Sequence, residues 1–250
     1  MAHTANSNHT PNGHSEHHEG LEAFGRVEHW IFDLDNTLYP RHSNLHEQMD
    51  QRMTAYLADL LDLEHTAART RQKHFYKNYG TTLRGLMVEH GITPDDFLEY
   101  VHDLDHSVLE PDPKLDQMIA TLPGHAYVFT NGTKKHAEKV LERLGVSAPF
   151  RDVFDIVSAD LMPKPSQITY DKFIAQTGID PTRAAMFEDL SRNLTVPHAM
   201  GMITTLITPR GKADLFHEDW EFEGRDDNHV RYVTDHLADF LEAVLGAINP

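Results

Sequence analysis

In the stretch WIFDLDNTLY, Trp30 to Tyr39, an apolar run ends in two carboxylates one residue apart, Asp33 and Asp35. An acid pair at that spacing can divide labour, one group attacking and the other giving and taking a proton. Three further polar groups follow short apolar runs in the same way: Thr130-Asn131-Gly132 after HAYVF, Lys164 between Pro163 and Pro165, and Glu188-Asp189 after AAMF. A hydroxyl, main-chain amides, a compact ammonium and extra carboxylates are the groups that bind a small anion together with a hard cation. Each motif alone has a plainer reading. Asp-x-Asp-Asn-Thr is a good capped turn, Thr-Asn-Gly a tight turn, Lys164 a solvated loop lysine, and Glu188-Asp189 an acidic helix start. Their order, and their common place at the ends of apolar runs, set them apart.

The elements needed to position these groups are legible around them. Val27 to Phe32 predicts a buried strand, and from HAYVFT onward strands alternate with helices. KKHAEKVLERLG reads as a helix, FDIVSA as a strand, SQITYDKFIAQTG as a helix, RAAMFED as a strand, LTVPHAMG as a short helix and MITTLI as a strand. Such alternation implies an α/β fold: a Rossmann-like parallel sheet with right-handed crossovers, covered on both faces and carrying its ligand crevice beyond the strand carboxyl ends. Between the first strand and the rest, apolar residues at spacings of three and four in NLHEQMDQRMTAYLADLLDL predict an amphipathic helix. Stops at Gly80 and Gly91 and the starts Thr93-Pro94 and Asp112-Pro113 predict more helices. We therefore expect a core of residues 29–40 and 117–250, an all-helical cap of residues 41–116 inserted into it, and a disordered tail over residues 1–28. LFHEDWEFEGRDDNHV reads as an acidic irregular connection, and VTDHLADFLEAVLGAI as a closing helix.

Composition narrows the function. A formal charge of −17 repels nucleic-acid polymers and anionic membranes alike, and no apolar run approaches the roughly 20 residues that span a bilayer. The chain has no cysteine, which removes disulfides and thiolate chemistry and fits a reducing compartment. The first twenty residues lack the apolar centre of an export signal, so a cytoplasmic protein is expected. His14, His17 and His18 are irregularly spaced, with no carboxylate scaffold to make a metal site of them.

Taken together and in order, Asp33-Leu-Asp35-Asn-Thr37, Thr130-Asn131-Gly132, Lys164-Pro165 and Glu188-Asp189, with a helical insert after the first, resemble the haloacid-dehalogenase superfamily of phosphotransferases over residues 29 to 208. The resemblance implies a phosphomonoester hydrolase. Asp33 would attack phosphorus and form an aspartyl-phosphate, while Asp35 would protonate the leaving oxygen and then activate water, a role suited by a raised pKa beside a phosphate. Thr130, Asn131, Gly132 and Lys164 would hold the phosphoryl group. Mg²⁺ would be bound by Asp33, the main-chain carbonyl of Asp35 and Asp189, with Glu188 behind them. Dehalogenases of the superfamily do not keep the second aspartate, which disfavours that chemistry here.

Substrate choice should reside in the cap. Tyr76-Lys77-Asn78-Tyr79-Gly80 followed by Leu83-Arg84-Gly85-Leu86 is similar to the cap segment of the pyrimidine 5′-nucleotidase branch, which implies a small nucleoside monophosphate such as UMP or CMP as substrate. Phe75, Tyr76 or Tyr79 could stack on a base, and Arg84 could reach a ring carbonyl or the phosphate. Phe75 and Tyr79, four apart on one helical face, could equally be cap core. A phosphatase for another small phosphoester, such as a sugar phosphate or phosphorylated vitamin, and a catalytically silent binding protein of the same fold remain as alternatives.

Overall fold

The computed structural model describes residues 20–209 and 223–249. The expected tail up to residue 19, with His14, His17 and His18, and the first half of the acidic connection lie outside the described residues. The order of elements is β1 (His29–Phe32), α1 (Leu45–Leu61), α2 (His65–Tyr79), α3 (Thr82–His90), α4 (Pro94–Val101), α5 (Pro113–Thr121), β2 (His125–Phe129), α6 (Lys134–Leu144) and β3 (Phe150–Phe154). There follow α7 (Gln167–Thr177), β4 (Ala184–Glu188), α8 (Thr195–Ala199), β5 (Ile203–Ile207), β6 (Tyr232–Thr234) and α9 (Leu237–Ile248). Among the described residues no helix is long and apolar enough to cross a membrane.

The six strands form one sheet in the order β3-β2-β1-β4-β5-β6, with every pair parallel. Because side chains alternate across a strand, β1 sends Trp30 and Phe32 to one face and Ile31 to the other. The first face is covered by α5, α6 and α9, whose Leu115, Val140 and Leu241 join Phe32, Val128 and Phe187. The second is covered mainly by α7, through Tyr170 and Phe173 against Phe129, Phe154 and Met186. Burial on both faces explains why the strands read as continuous apolar runs rather than alternating ones.

Between β1 and α5, the helices α1 to α4 pack around a separate apolar cluster of Met49, Leu57, Phe75, Leu83, Leu86, Phe97 and Val101, into which Ile156 of the sheet domain reaches. Gly85 is required there: a Cβ would lie 2.4 Å from the Phe75 ring. Gly80, at φ 86°, lets the end of α2 sit on the loop bearing Lys164, where a Cβ would stand 3.0 Å from Pro163 and 3.3 Å from the Lys164 carbonyl.

Three expectations shift. The 3₁₀ helix Leu21–Arg26 lies where a disordered tail is predicted; its Leu21 and Phe24 are buried, and Phe24 stacks on Trp30 with ring centroids 5.8 Å apart. Polar neighbours hide these two apolar anchors in the sequence. The strand assigned to FDIVSA lies earlier, at Phe150–Phe154. Asp155 ends it by accepting from the amide and hydroxyl of Ser158 and the amide of Lys134, so Ile156 and Ala159 are buried on a turn, not in the sheet. An expected boundary at residue 116 falls inside α5, whose Leu115, Met118 and Ile119 belong to the core of the sheet domain. Short β6, preceding α9, has no motif that marks it.

Candidate active site

The site is built at the carboxyl edge of the sheet. The amide of Asp33 still bonds the Phe187 carbonyl at 2.9 Å, so the strand pairing that fixes β1 also fixes this residue. Its carboxylate is buried and accepts from Lys164 Nζ at 2.7 Å and from the Thr37 hydroxyl at 3.2 Å. Lys164 also donates to the Phe129 carbonyl at 2.9 Å and to Glu188 Oε1 at 2.8 Å. An ammonium has three protons, and all three are thus engaged within the protein. Burial works against the charge on Lys164, but Asp33 and Glu188 overcome it and hold the ammonium above its ordinary range. Burial pushes the Asp33 carboxyl upward; Lys164 pulls it back, while Glu188 and Asp35 add repulsion.

Asp35 faces the cavity above. Its Oδ1 accepts from the Tyr39 hydroxyl at 2.5 Å and from His136 Nε2 at 2.9 Å. Burial would raise this carboxyl, yet the charge and hydrogen bond of His136 outweigh it and hold the group below the usual carboxylate range. That is the opposite direction from the one expected beside a phosphate, because a histidine partner, invisible in the motif, sits against it. Burial and then the charge of Asp35 push the Tyr39 phenol well above its ordinary value, so it remains a donor.

Asn36 adopts a left-handed conformation at φ 59°, which asparagine tolerates better than most residues. Its Nδ2 lies 3.3 Å from Asp189 Oδ2, tying the turn after β1 to the end of β4, and Arg41 Nη2 lies 3.4 Å from the same oxygen. Among the described residues Asp33, Glu188 and Asp189 form the one group whose carboxylate oxygens lie within 4.8 Å of one another. This all-oxygen set, with more carboxylates than cations around it, fits a hard divalent ion. Glu188 is already heavily engaged: Oε1 accepts from Lys164 and from Asn193 Nδ2 at 2.7 Å, and Oε2 from the Leu190 amide at 2.8 Å.

The other predicted residues fall around this centre. The Thr130 hydroxyl accepts from the Gly132 amide at 2.9 Å, and Asn131 Oδ1 accepts from the Lys164 amide at 2.9 Å, so the turn after β2 and the Lys164 loop brace each other. Asn131 and Gly132 line the cavity with Asp33, Asp35, Lys164 and Asp189. Of the cap residues, Tyr76 lines it too, and the Arg192 guanidinium lies 4.6 Å from its ring centroid, covering one face. Tyr79 instead packs edge-on against buried Phe75 and donates to Glu89 at 2.8 Å. Phe75 is cap core. Arg84 opens α3, where its amide is capped by the Thr81 hydroxyl at 3.2 Å; neither Tyr79 nor Arg84 is among the lining residues.

Several lining residues carry no motif. From the cap come apolar Met49, Met53, Phe97 and Val101 beside a polar cluster. Asp50, buried, accepts from Lys73 at 2.8 Å, Gln72 at 2.7 Å and Arg69 at 2.7 Å. His102, at the end of α4, lines the cavity beside Gly132; burial, then the neighbouring His136, push its imidazole down to about 4. His136 could have been found from its spacing of four from Val140 and Leu144, which sets it on the buried face of α6.

Comparison with known proteins agrees with this architecture. Phosphate metabolism protein 8 of Saccharomyces cerevisiae is 25% identical over 242 residues, 86% of this chain and 71% of that protein. Among solved structures, the L-2-haloacid dehalogenase of Xanthobacter autotrophicus with chloropropionic acid covalently bound aligns with a TM-score of 0.54 at 16% identity, covering 88% of this chain and 99% of the other. YfnB of Bacillus subtilis, bound to magnesium, aligns with a TM-score of 0.51 at 15% identity, covering 90% and 100%. At such identities the structural likeness is one of fold. The sequence matches the haloacid dehalogenase-like hydrolase family model over residues 27–201, and the chain belongs to that family.

Proposed function

We propose that the chain is a Mg²⁺-dependent phosphomonoester hydrolase that acts through an aspartyl-phosphate on Asp33, with pyrimidine nucleoside monophosphates as its substrate class. The observation that carries the phosphatase reading is Asp35: a second carboxylate faces the cavity two residues from the nucleophile, held by Tyr39 and His136. A reaction that expels halide needs no such proton donor.

In the first step an oxygen of Asp33 forms a bond to phosphorus as the ester P–O bond breaks; Asp35, ionised in the free protein, takes up a proton from solvent as the negative substrate binds beside it and delivers that proton to the departing oxygen. In the second, the oxygen of a water molecule attacks phosphorus, Asp35 takes its proton, and the P–O bond to Asp33 breaks to release inorganic phosphate. Lys164 keeps Asp33 oriented and offsets its charge, while the turn Thr130-Asn131-Gly132 offers polar groups to the phosphoryl oxygens. Asp33, Asp189 and the main-chain carbonyl of Asp35 would hold the metal, with Glu188 bracing Lys164 behind them. When bound, Mg²⁺ supplies neutralisation of phosphoryl charge and a template for the reacting oxygens.

The pyrimidine assignment rests on the cap sequence around Tyr76 and on the lining it accompanies. Apolar Met49, Met53 and Phe97 suit a flat ring, and Lys73, held by Asp50, suits an acceptor on its edge. Initial rates on a panel of nucleoside monophosphates, sugar phosphates and phosphorylated vitamins, each with and without Mg²⁺, test both levels. UMP and CMP should lead, and chelation should abolish turnover. Faster turnover of a non-nucleotide ester would move the substrate class, and undiminished turnover after chelation would remove the metal.

A further inference from the structure

His136 lies in the first turn of α6, on the inward face it shares with Val140 and Leu144. Its side chain is wholly buried and points at the site, with Nε2 2.9 Å from Asp35 Oδ1. Tyr39, from the turn after β1, donates to that same oxygen. Two donors from separate elements therefore converge on Oδ1, and among the described residues no hydrogen bond occupies Oδ2. A carboxylate gripped by one oxygen cannot rotate freely about its terminal torsion, so the other oxygen is presented to the cavity in one orientation.

The grip is itself braced. His136 Nδ1 lies 3.4 Å from His106 Nε2, and His106 Nδ1 lies 3.0 Å from the Leu104 carbonyl. A carbonyl only accepts, so His106 carries its hydrogen on Nδ1, and in the neutral ring its Nε2 accepts from His136 Nδ1. Nε2 is then the nitrogen of His136 turned to Asp35, and a ring flip would break both contacts. The His102 ring packs on His136 with centroids 4.9 Å apart and is anchored through Nδ1 to the Leu98 carbonyl at 2.8 Å. His102 and His106 both lie on the segment by which the chain returns from the cap helices to the sheet domain.

We propose that His136 is the positioning residue for the acid/base carboxylate: braced by His106 and His102, it fixes Asp35 so that Oδ2 meets the leaving-group oxygen. This rests on the acid/base reading of Asp35 given above. It assigns a task to a histidine outside every motif, and it makes the aim of Asp35 depend on the chain segment leaving the cap.

Leaving-group dependence tests it. An alkyl phosphate such as UMP needs a proton on its departing oxygen, whereas p-nitrophenolate leaves from p-nitrophenyl phosphate without one. We expect His136→Leu to lower kcat on UMP by about 10- to 100-fold, part of the factor a general acid supplies. KM should stay unchanged, and the loss on p-nitrophenyl phosphate should be at most about threefold. Asp35→Asn should show the same selectivity, more strongly. His136→Gln, whose amide nitrogen can stand where Nε2 stands, should recover most of the rate, and His136→Asn should not. Equal losses on both esters would show a merely structural role and overturn the proposal, as would no loss on either. If Asp35→Asn is selective and His136→Leu is not, the proposal falls alone. If Asp35→Asn shows no selectivity, the acid/base reading falls with it. Should His136→Leu fail to fold, the Gln and Asn variants carry the comparison, and equal losses in that pair overturn it.

Discussion

The cavity has a floor and a roof built on different principles. The floor, at the strand ends, is almost wholly polar and tightly paired: Asp33 and Glu188 are buried and both accept from the buried Lys164 between them. The roof, from α1, α2 and α4, is mostly apolar and owes its one polar cluster to Asp50, which binds α1 to α2 through Lys73, Gln72 and Arg69. A reaction fixes the floor, because few side chains can attack phosphorus, pass a proton and offset the charge. The shape of a leaving group fixes the roof, and many side chains can satisfy it. Loss of the attacking group in the floor should therefore abolish turnover on every ester, and damage to the roof should change which ester is preferred.

The largest effect should come from Asp33→Asn, which keeps the shape but removes the nucleophile: kcat should fall by at least about 10³-fold on all phosphoesters. Turnover equal to wild type would place the nucleophile elsewhere. Lys164→Met should come next. It leaves Asp33 and Glu188 buried without their cation, and breaking such a pair costs about 3–5 kcal/mol of stability, measurable by urea unfolding. A variant as stable as wild type would mean that Lys164 does not hold the floor together.

Lys73→Met is its counterpart in the roof, and there the loss should be confined to binding. KM for UMP should rise about tenfold, equivalent to about 1.4 kcal/mol, with kcat unchanged. A fall in kcat on every ester would erase the distinction between floor and roof. The smallest effect concerns Asp50. Burial alone would raise its carboxyl, but Lys73, His46 and Arg69 lower it. A carboxyl whose folded pKa is depressed adds stability above its unfolded value, about 3.9, and loses it as pH falls through the folded value. As pH falls below about 4, wild type should therefore lose more stability than Asp50→Asn, by urea unfolding at each pH. Parallel pH profiles for the two would remove Asp50 from the stability of the cap.

The same contrast explains what the sequence discloses. Asp33, Thr130, Lys164 and Glu188-Asp189 stand out because polar residues that end apolar runs, in a set order, have a positional meaning in a parallel sheet. The roof has no such grammar. Helical periodicity separates Phe75 from the surface but cannot say that Tyr76 faces the cavity while Tyr79 turns to Glu89. Asp50 and Gln72 look like solvated polar positions, yet both are buried, because their partners come from a neighbouring helix rather than from their own. Asp155 misleads for a related reason: the apolar residues after it suggest a strand, but its side chain binds the turn that ends one. Leu21 and Phe24 are too few to signal an element until α9 is seen against them.

The place of β1 in the sheet carries one more consequence. It is flanked by β2 on one side and β4 on the other, deep in the strand order and far from either edge. Backbone amides in such a strand exchange with solvent only when the whole domain opens, whereas peripheral helices release theirs through smaller, more frequent excursions. The amides of Ile31 and Phe32 should then be among the slowest in the molecule to take up deuterium, and those of α3 among the faster. The attacking carboxylate is anchored at the molecule's stillest point, while substrate selection is entrusted to its more restless part.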